Sequence, residues 1–279
     1  MAGVALLALQ REPAPAGPAT PVPRALAPMA SAARPVLAPA AAATAEPFLR
    51  AQVARLEATH DAADAFKAYR LLADCAAFMA DHDRMIYDES AFKHPERGQI
   101  PGFRGMTDQE KRHDTVFCAA MSERERQSRL DDLALAVKAI VPGAASAFVR
   151  EGPFGDMSAL RTRPGDPLVQ AWKAAAKTQL VRAAESGTDM DALLDLAVFT
   201  GGGNEVLDDD PRLAYRYKLA LGFIYADKFG AGSMPGKEYA PDSPSLAILA
   251  QDLSPEARAA ELADARRIAD KEIAARRGR

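Results

Sequence analysis

Residues 166–227 decide the fold of this chain, and they read DPLVQAWKAAAKTQLVRAAESGTDMDALLDLAVFTGGGNEVLDDDPRLAYRYKLALGFIYAD. Asp166-Pro167 predicts a helix start, because aspartate caps a helix well and proline fits the first helical position. Apolar residues then recur at helical spacing as far as Ser186-Gly187, where glycine can adopt the left-handed conformation of a helix end. The stretch therefore begins with one long amphipathic helix.

Two more helices are predicted in the same stretch. Thr188, with Asp191 three positions later, is a helix-start pattern, and the glycines of residues 201–204 end that short helix. Asp210-Pro211 repeats the first start signal. The third helix has the clearest apolar stripe of the chain: Leu213, Tyr217, Ala220, Leu221, Ile224 and Tyr225. Short connections and small facing residues predict antiparallel helical hairpins whose axes approach closely.

This pattern resembles the Sel1-like repeat, a relative of the tetratricopeptide repeat. The matching positions are Ala192, Leu196, Phe199, Gly203, Val206, Asp210, Ala214, Tyr217 and Ala220. Residues 183–187 are similar to the end of a preceding repeat. The resemblance implies a short α-solenoid-like array whose concave face binds a protein or peptide. The same residues also fit an unrelated helical hairpin with small facing side chains.

Composition supports an all-α fold and excludes one class of partner. The net charge is −3 with 26% charged residues, so a strongly basic face for nucleic acid is not expected. Alanine is abundant and aromatic residues make up only 6%, which favours helix. No alternating strand pattern with a hairpin turn is present in the sequence.

The N-terminal part of the chain has the features of an exported protein. Residues 4–9 are apolar but too short to span a bilayer, so residues 1–10 are predicted to be part of a signal peptide or membrane anchor. Residues 11–47 are rich in proline and alanine, which predicts an extended linker. Residues 48–279 form the predicted α-helical repeat-like domain. This organisation favours a periplasmic or membrane-tethered location; the alternative is a cytoplasmic protein with an apolar N-terminus.

Two cysteines flank a long segment of residues 84–106 that lacks any periodicity. Cys75 and Cys118 each lie on a predicted amphipathic helix, and in an exported protein they are expected to form a disulfide. The alternative is a pair of buried free thiols in a cytosolic protein. Because no Cys-x-x-Cys is present, a redox-active site or a zinc ribbon is not expected.

The segment between the cysteines is the predicted partner-binding site. A loop of this length is usually functional or disordered, and this one carries residue types that are enriched at interfaces. The candidate binding residues are Tyr87, Phe92, His94, Phe103 and Arg104. In the alternative interpretation, Phe92 and Phe103 fold down over the helices as a local lid.

Further helix starts occur on both sides of the central stretch. Residues 107–110 and residues 122–125 are capping boxes, and Ser254-Pro255 starts a final basic helix. Residues 231–253 are predicted to be a long connection with about one helical turn near Leu246.

No motif in the sequence predicts catalysis. Three histidines precede aspartate, at His60, His82 and His113, which suggests a metal-dependent hydrolase as an alternative function. Such a site needs further ligands, and the sequence contains no HExxH pattern. The glycines of residues 201–203 are not followed by the Lys-Ser/Thr of a phosphate-binding loop. We therefore expect no catalytic residue, metal ligand or cofactor, and predict a non-enzymatic scaffold of the cell envelope with an unidentified protein or peptide partner. A purely structural tethered domain is the remaining alternative.

Overall fold

The structure is a computed structural model, and it describes residues 42–88 and 103–278. The chain divides into two units, residues 1–38 and residues 39–279, and the described residues belong to the second. They form twelve α-helices and two short strands: α1 (Ala42–Glu57), α2 (Ala62–Ala80), β1 (Met85–Tyr87), β2 (Phe103–Gly105), α3 (Asp108–Cys118), α4 (Glu123–Lys138), α5 (Ala144–Glu151), α6 (Ala159–Thr162), α7 (Pro167–Ser186), α8 (Met190–Phe199), α9 (Pro211–Phe229), α10 (Met234–Glu238), α11 (Pro244–Ala250) and α12 (Pro255–Arg277). The predicted all-α class is confirmed.

The long helices of the central stretch begin and end where the sequence predicts. Asp166 accepts a hydrogen bond from the backbone N–H of Leu168 at 2.9 Å and caps α7. Gly187 ends α7 in the left-handed conformation with φ 75°. Asp210 caps α9 through the N–H of Leu213 at 3.1 Å. Short polar side chains at these positions satisfy N–H groups that a helix terminus would leave unpaired.

The start of α8 differs from the prediction by one residue. Its cap is Asp189, whose Oδ1 accepts from the N–H of Ala192 at 3.0 Å. The predicted cap, Thr188, instead places its hydroxyl 2.8 Å from the hydroxyl of Ser186. Threonine and aspartate both cap helices well. Here Asp189 is the cap, and its second carboxylate oxygen also accepts a hydrogen bond from the N–H of Gly143.

Helix α9 lies at the centre of the largest core. It packs against α8, α10, α11 and α12, while α7 packs against α8 and α5. Tyr217, Leu219, Leu221 and Ile224 are at most 1% exposed. The apolar stripe predicted for α9 is therefore a buried face, and burying such side chains is the main force that holds the helices together.

A second core joins α1, α2 and α3 and contains the disulfide. The sulfur atoms of Cys75 and Cys118 lie 2.08 Å apart, which confirms the predicted pair. The two residues are 1% and 3% exposed, and they pack with Leu49, Leu72 and Phe78. The bond connects α2 to the end of α3.

Three segments carry more secondary structure than predicted. β1 and β2 pair antiparallel, with Tyr87 opposite Phe103, although no strand was predicted. α1 begins at Ala42, inside the segment predicted as linker. The connection after α9 contains two helices, α10 and α11, rather than one turn. Strands of three residues and helices of five to seven residues are too short to show a periodic pattern in the sequence. The two strands pair with each other, and α10 and α11 pack on α9.

None of the helices in the described ranges is long and apolar enough to cross a membrane.

Candidate functional site

A groove with a volume of about 630 Å³ lies between the N-terminal helices and the central hairpins. We call it the central groove. It is lined from residues 66–74 of α2, residues 142–150 around the start of α5, residues 188–191 at the start of α8, and Tyr87 of β1. Segments that are distant in sequence therefore meet at one surface, which the sequence pattern alone does not indicate.

One buried carboxylate holds two walls of the groove together. Asp189 is 3% exposed, and its Oδ2 accepts a hydrogen bond from the backbone N–H of Gly143 at 2.8 Å. Its other oxygen caps α8. The turn before α5 is thereby fastened to the start of α8, which connects two of the segments that line the groove.

The turn that leads into this wall has an unusual backbone. Ile140 has a φ of 57°, where a β-branched side chain is disfavoured. The N–H of Ile140 bonds the carbonyl of Val137 at 3.1 Å, and the N–H of Val141 bonds the carbonyl of Ala136 at 3.0 Å. These are the two hydrogen bonds of a Schellman ending, a position that glycine usually occupies. The side chain of Ile140 packs on the main core, which offsets the backbone cost.

Two aromatic rings of α2 lie in the groove. Phe66 and Tyr69 stack with ring centroids 5.8 Å apart and an interplanar angle of 9°. Burial and the neighbouring carboxylate of Glu151 raise the pKa of the Tyr69 hydroxyl, so it stays protonated at physiological pH. Glu151 itself is bound by Arg129 at 2.6 Å. The aromatic part of the groove is therefore neutral and held by an adjacent ion pair.

The charged residues of the groove are only partly paired. Asp74 lies 3.6 Å from Arg84, and Asp189 is committed to backbone N–H groups. Arg70 and Arg150 are exposed, and within residues 42–88 and 103–278 neither forms a hydrogen bond or an ion pair. The groove thus places two exposed guanidinium groups beside aromatic rings.

A buried polar pair lies behind the groove wall. Ser146 is 1% exposed and Asp195 is 9% exposed. Burial raises the pKa of Asp195, while the nearby Ser146 hydroxyl and the Arg150 guanidinium act in the opposite direction. Arg150 therefore interacts electrostatically with this buried carboxyl and also lines the groove.

The predicted binding residues fall into three groups. Tyr87 is 63% exposed and lines the groove, and its ring meets Phe103 edge-on at 5.8 Å. Arg104 is engaged within the protein, with Nε 2.5 Å from Asp88 and its two other nitrogens 2.9 and 2.8 Å from Glu110. Phe92 and His94 lie outside the described residues. Arg104 therefore fastens the hairpin to α3, and Tyr87 connects the predicted loop site with the groove.

The histidines of the alternative hydrolase hypothesis lie in separate surroundings. The ring of His82 meets Phe78 at 4.6 Å, and that of His113 stacks on Phe117 at 5.7 Å. His60 occupies a turn with φ 53°. In the part of the chain that the structure describes, no three His, Cys, Asp or Glu side chains are placed to share a metal ion.

Several groove residues were not predicted from the sequence. Arg70, Arg150 and Asp189 are common residue types on amphipathic helices or at their ends, and nothing in their spacing distinguishes them from solvated surface residues. Of these three residues, only Asp189 could have been singled out in the sequence, because aspartate is a preferred residue at the start of a helix.

The chain matches no known family profile, no curated protein and no solved structure. The resemblance to Sel1-like repeats rests on the residues quoted above and stays a prediction.

Proposed function

We propose that this protein is a non-enzymatic scaffold of the cell envelope that binds a protein or peptide segment in the central groove. The observation that carries the proposal is the groove itself, which has a volume of about 630 Å³ and is lined by aromatic rings and exposed guanidinium groups. Aromatic residues and arginine are the types most enriched among residues that dominate binding energy.

The exposed hairpin extends this surface. Tyr87 and Phe103 are 63% and 39% exposed, and their rings meet edge-on, so Phe103 lies next to a residue that lines the groove. Phe92 and His94 belong to the same chain segment, so they remain proposed partner contacts. Arg104 acts in this proposal as a positioning residue, because its contacts with Asp88 and Glu110 hold the hairpin against α3.

The disulfide supports the proposed location. Disulfides persist in oxidising compartments such as the periplasm, and a buried Cys75–Cys118 bond fits an exported or membrane-tethered protein. Cell fractionation of the tagged full chain, followed by thiol labelling of the protein taken from each fraction, tests this. Recovery in the cytoplasm with two labelled thiols after unfolding would refute the proposed location.

Peptide selection tests the binding function directly. The full chain is made in an oxidising compartment and exposed to a random peptide library, and selected peptides are measured by fluorescence anisotropy. Thr188→Trp places a large side chain at the exposed rim of the groove and should abolish binding. Thr178→Trp, at an exposed site of α7 outside the groove, is the matched control and should bind as the parent does.

Two results would count against the proposal. A chain that selects no peptide would favour a purely structural tethered domain. Binding that survives Thr188→Trp would place the binding surface elsewhere.

A further inference from the structure

One wall of the central groove is attached to the fold through α3. All eleven residues of α3 are described, and Cys118 at its end is the only one of them that is buried. Cys118 is bonded to Cys75 of α2, which directly follows the groove residue Asp74. The disulfide is therefore the buried side-chain contact through which this exposed helix joins the second core.

The strand pair that carries Tyr87 is fastened to α3 by ion pairs. Arg104 of β2 binds the carboxylate of Glu110 with two nitrogens, at 2.9 and 2.8 Å. Lys111, the next residue of α3, binds Asp83 just before β1. A forked guanidinium–carboxylate contact fixes orientation as well as distance. The hairpin should therefore move together with α3.

The link between the hairpin and α2 is more exposed. Arg84, which precedes β1, lies 3.6 Å from Asp74, whose side chain is 66% exposed. Exposed ion pairs stabilise little because water and salt screen them. Ile86 of β1 packs on the small core that contains the disulfide. The position of Tyr87 at the groove thus depends on α3 and, through α3, on the disulfide.

These contacts make the groove depend on the oxidation state of two cysteines. We propose that the Cys75–Cys118 bond is a redox switch, whose reduction releases α3 with the hairpin and removes the Tyr87 wall of the groove. A helix of eleven residues is marginal in water on its own, so α3 should lose its structure once the bond is broken. The effect on peptide binding rests on the proposed function, whereas the release of α3 does not.

The reaction is a thiol–disulfide exchange with a dithiol. One thiolate of the dithiol attacks a sulfur of the Cys75–Cys118 bond, which breaks and leaves a mixed disulfide. The second thiolate then displaces the protein sulfur. Two electrons thereby pass to the protein, both cysteines gain a proton, and the dithiol becomes a disulfide. Because the two cysteines are 1% and 3% exposed, the dithiol reaches them only when α3 opens. A ligand that contacts both walls of the groove should hold α3 closed and slow the reduction.

Hydrogen exchange tests the release directly. The full chain is prepared in its oxidised form and treated with dithiothreitol, and amide exchange is followed by mass spectrometry before and after. We expect residues 108–118 to lose their protection on reduction, whereas α9 stays protected and the fluorescence of Trp172 in the main core does not change. Cys75→Ala/Cys118→Ala should exchange like the reduced chain and should not respond to dithiothreitol.

Peptide binding shows whether the groove follows. A peptide selected by the oxidised chain should bind about tenfold more weakly after reduction, as expected for the loss of one dominant aromatic contact. Tyr87→Ala should weaken binding to the oxidised chain by a similar factor, and reduction should then add little, because both changes remove the same contact. Phe229→Ala removes an exposed ring outside the groove and should keep the full response to reduction.

The outcomes separate this inference from the proposed function. Protection of residues 108–118 that survives reduction would overturn the switch, since the two thiols then stay packed as small apolar groups. Simultaneous loss of protection in α9 would also overturn it, because the bond would then stabilise the whole fold. Unchanged peptide binding despite the release of α3 would overturn the control of the groove. If no peptide binds the oxidised chain, the proposed function fails, and hydrogen exchange still decides whether α3 is released.

Discussion

Arg216 of α9 donates a hydrogen bond from Nε to Oε2 of Glu261 on α12 at 2.5 Å, and the carboxylate of Glu261 is completely buried. The other oxygen of Glu261 accepts from Nε of Arg212, one turn earlier on α9. Arg216 also lies 3.2 Å from Asp264 and 3.9 Å from Glu185 of α7. This network connects three helices and fixes how the last helix docks on the central one.

Replacement of Glu261 should test this network. Glu261→Ala removes the buried carboxylate that both arginines bind. Arg216 keeps its contacts with Asp264 and Glu185, so the loss should be about 1–3 kcal/mol, the usual cost of leaving a buried hydrogen-bonding group without one of its partners. Asp264→Ala is the matched control, because this carboxylate is 39% exposed and such pairs contribute about 0–1 kcal/mol. Denaturant unfolding measures both variants. Similar losses for the two would show that burial of Glu261 has no special role.

Tyr217 is a second test of the central core. Its side chain is fully buried, and burial raises its pKa to about 12. Tyr217→Ala should destabilise the protein by about 3–5 kcal/mol, the usual cost of emptying a large aromatic site. Tyr217→Phe keeps the ring and should change stability by less than about 1.5 kcal/mol. If Tyr217→Ala melts at the same temperature as the parent, the conclusion that this face of α9 is buried is wrong.

Gly222 lies where α9 passes close to Tyr239, the residue that follows α10. A Cβ at this position would overlap the backbone carbonyl of Tyr239. Gly→Ala inside a helix normally stabilises by about 0.5–1 kcal/mol, but here overpacking should reverse the sign and cost about 1–3 kcal/mol. Gly278→Ala is the control, because its nearest neighbour is an ordinary contact at 3.5 Å. A rise in melting temperature for Gly222→Ala would contradict the close approach.

Loss of the disulfide should lower stability substantially. Cys75 and Cys118 are 43 positions apart, and closing a loop of this length stabilises by about 4 kcal/mol in the chain-entropy model. Cys75→Ala, Cys118→Ala and the double variant should unfold at similar denaturant concentrations, since either substitution removes the same bond. Intact mass and thiol labelling verify the bond in the parent. Two freely labelled thiols in the folded parent would disprove the pairing.

Asp132 of α4 makes stability depend on pH. Burial, with the nearby carboxylates of Glu57 and Asp131, raises its pKa to about 6. Because the folded state holds this proton more tightly than the unfolded state, the contribution of Asp132 to the free energy of unfolding falls as pH rises from about 4 to 6. Above that window the ionised carboxylate destabilises the fold.

The matching experiment is Asp132→Asn. The variant should be more stable than the parent at pH 7.5, by on the order of 1 kcal/mol after allowance for solvent screening, and equal to it below about pH 4. Asp131→Asn removes an exposed neighbour and should give a smaller change. If the free energies of unfolding of the parent and of Asp132→Asn differ by the same amount at all pH values, the pKa of Asp132 is not raised.

The sequence by itself determined the long helices and their limits. Asp166 and Asp210 cap their own helices, Gly187 ends α7, and the apolar stripe of α9 is the buried face. These features depend on residues within a few positions of one another, so local preferences decide them. The pairing of Cys75 with Cys118 was also predicted, from the number of cysteines and the expected compartment.

Only the tertiary structure decided the short elements and the groove. The strand pair that joins Tyr87 to Phe103 depends on residues brought together across a long segment, and three residues carry no periodic signal. Arg70, Gly143 and Asp189 come together only when three separate segments pack. Whether an arginine on a helix surface is paired or free is likewise set by what the neighbouring helices place beside it. Such contacts between distant residues are fixed by packing, and for that reason the candidate binding surface became visible only in the folded chain.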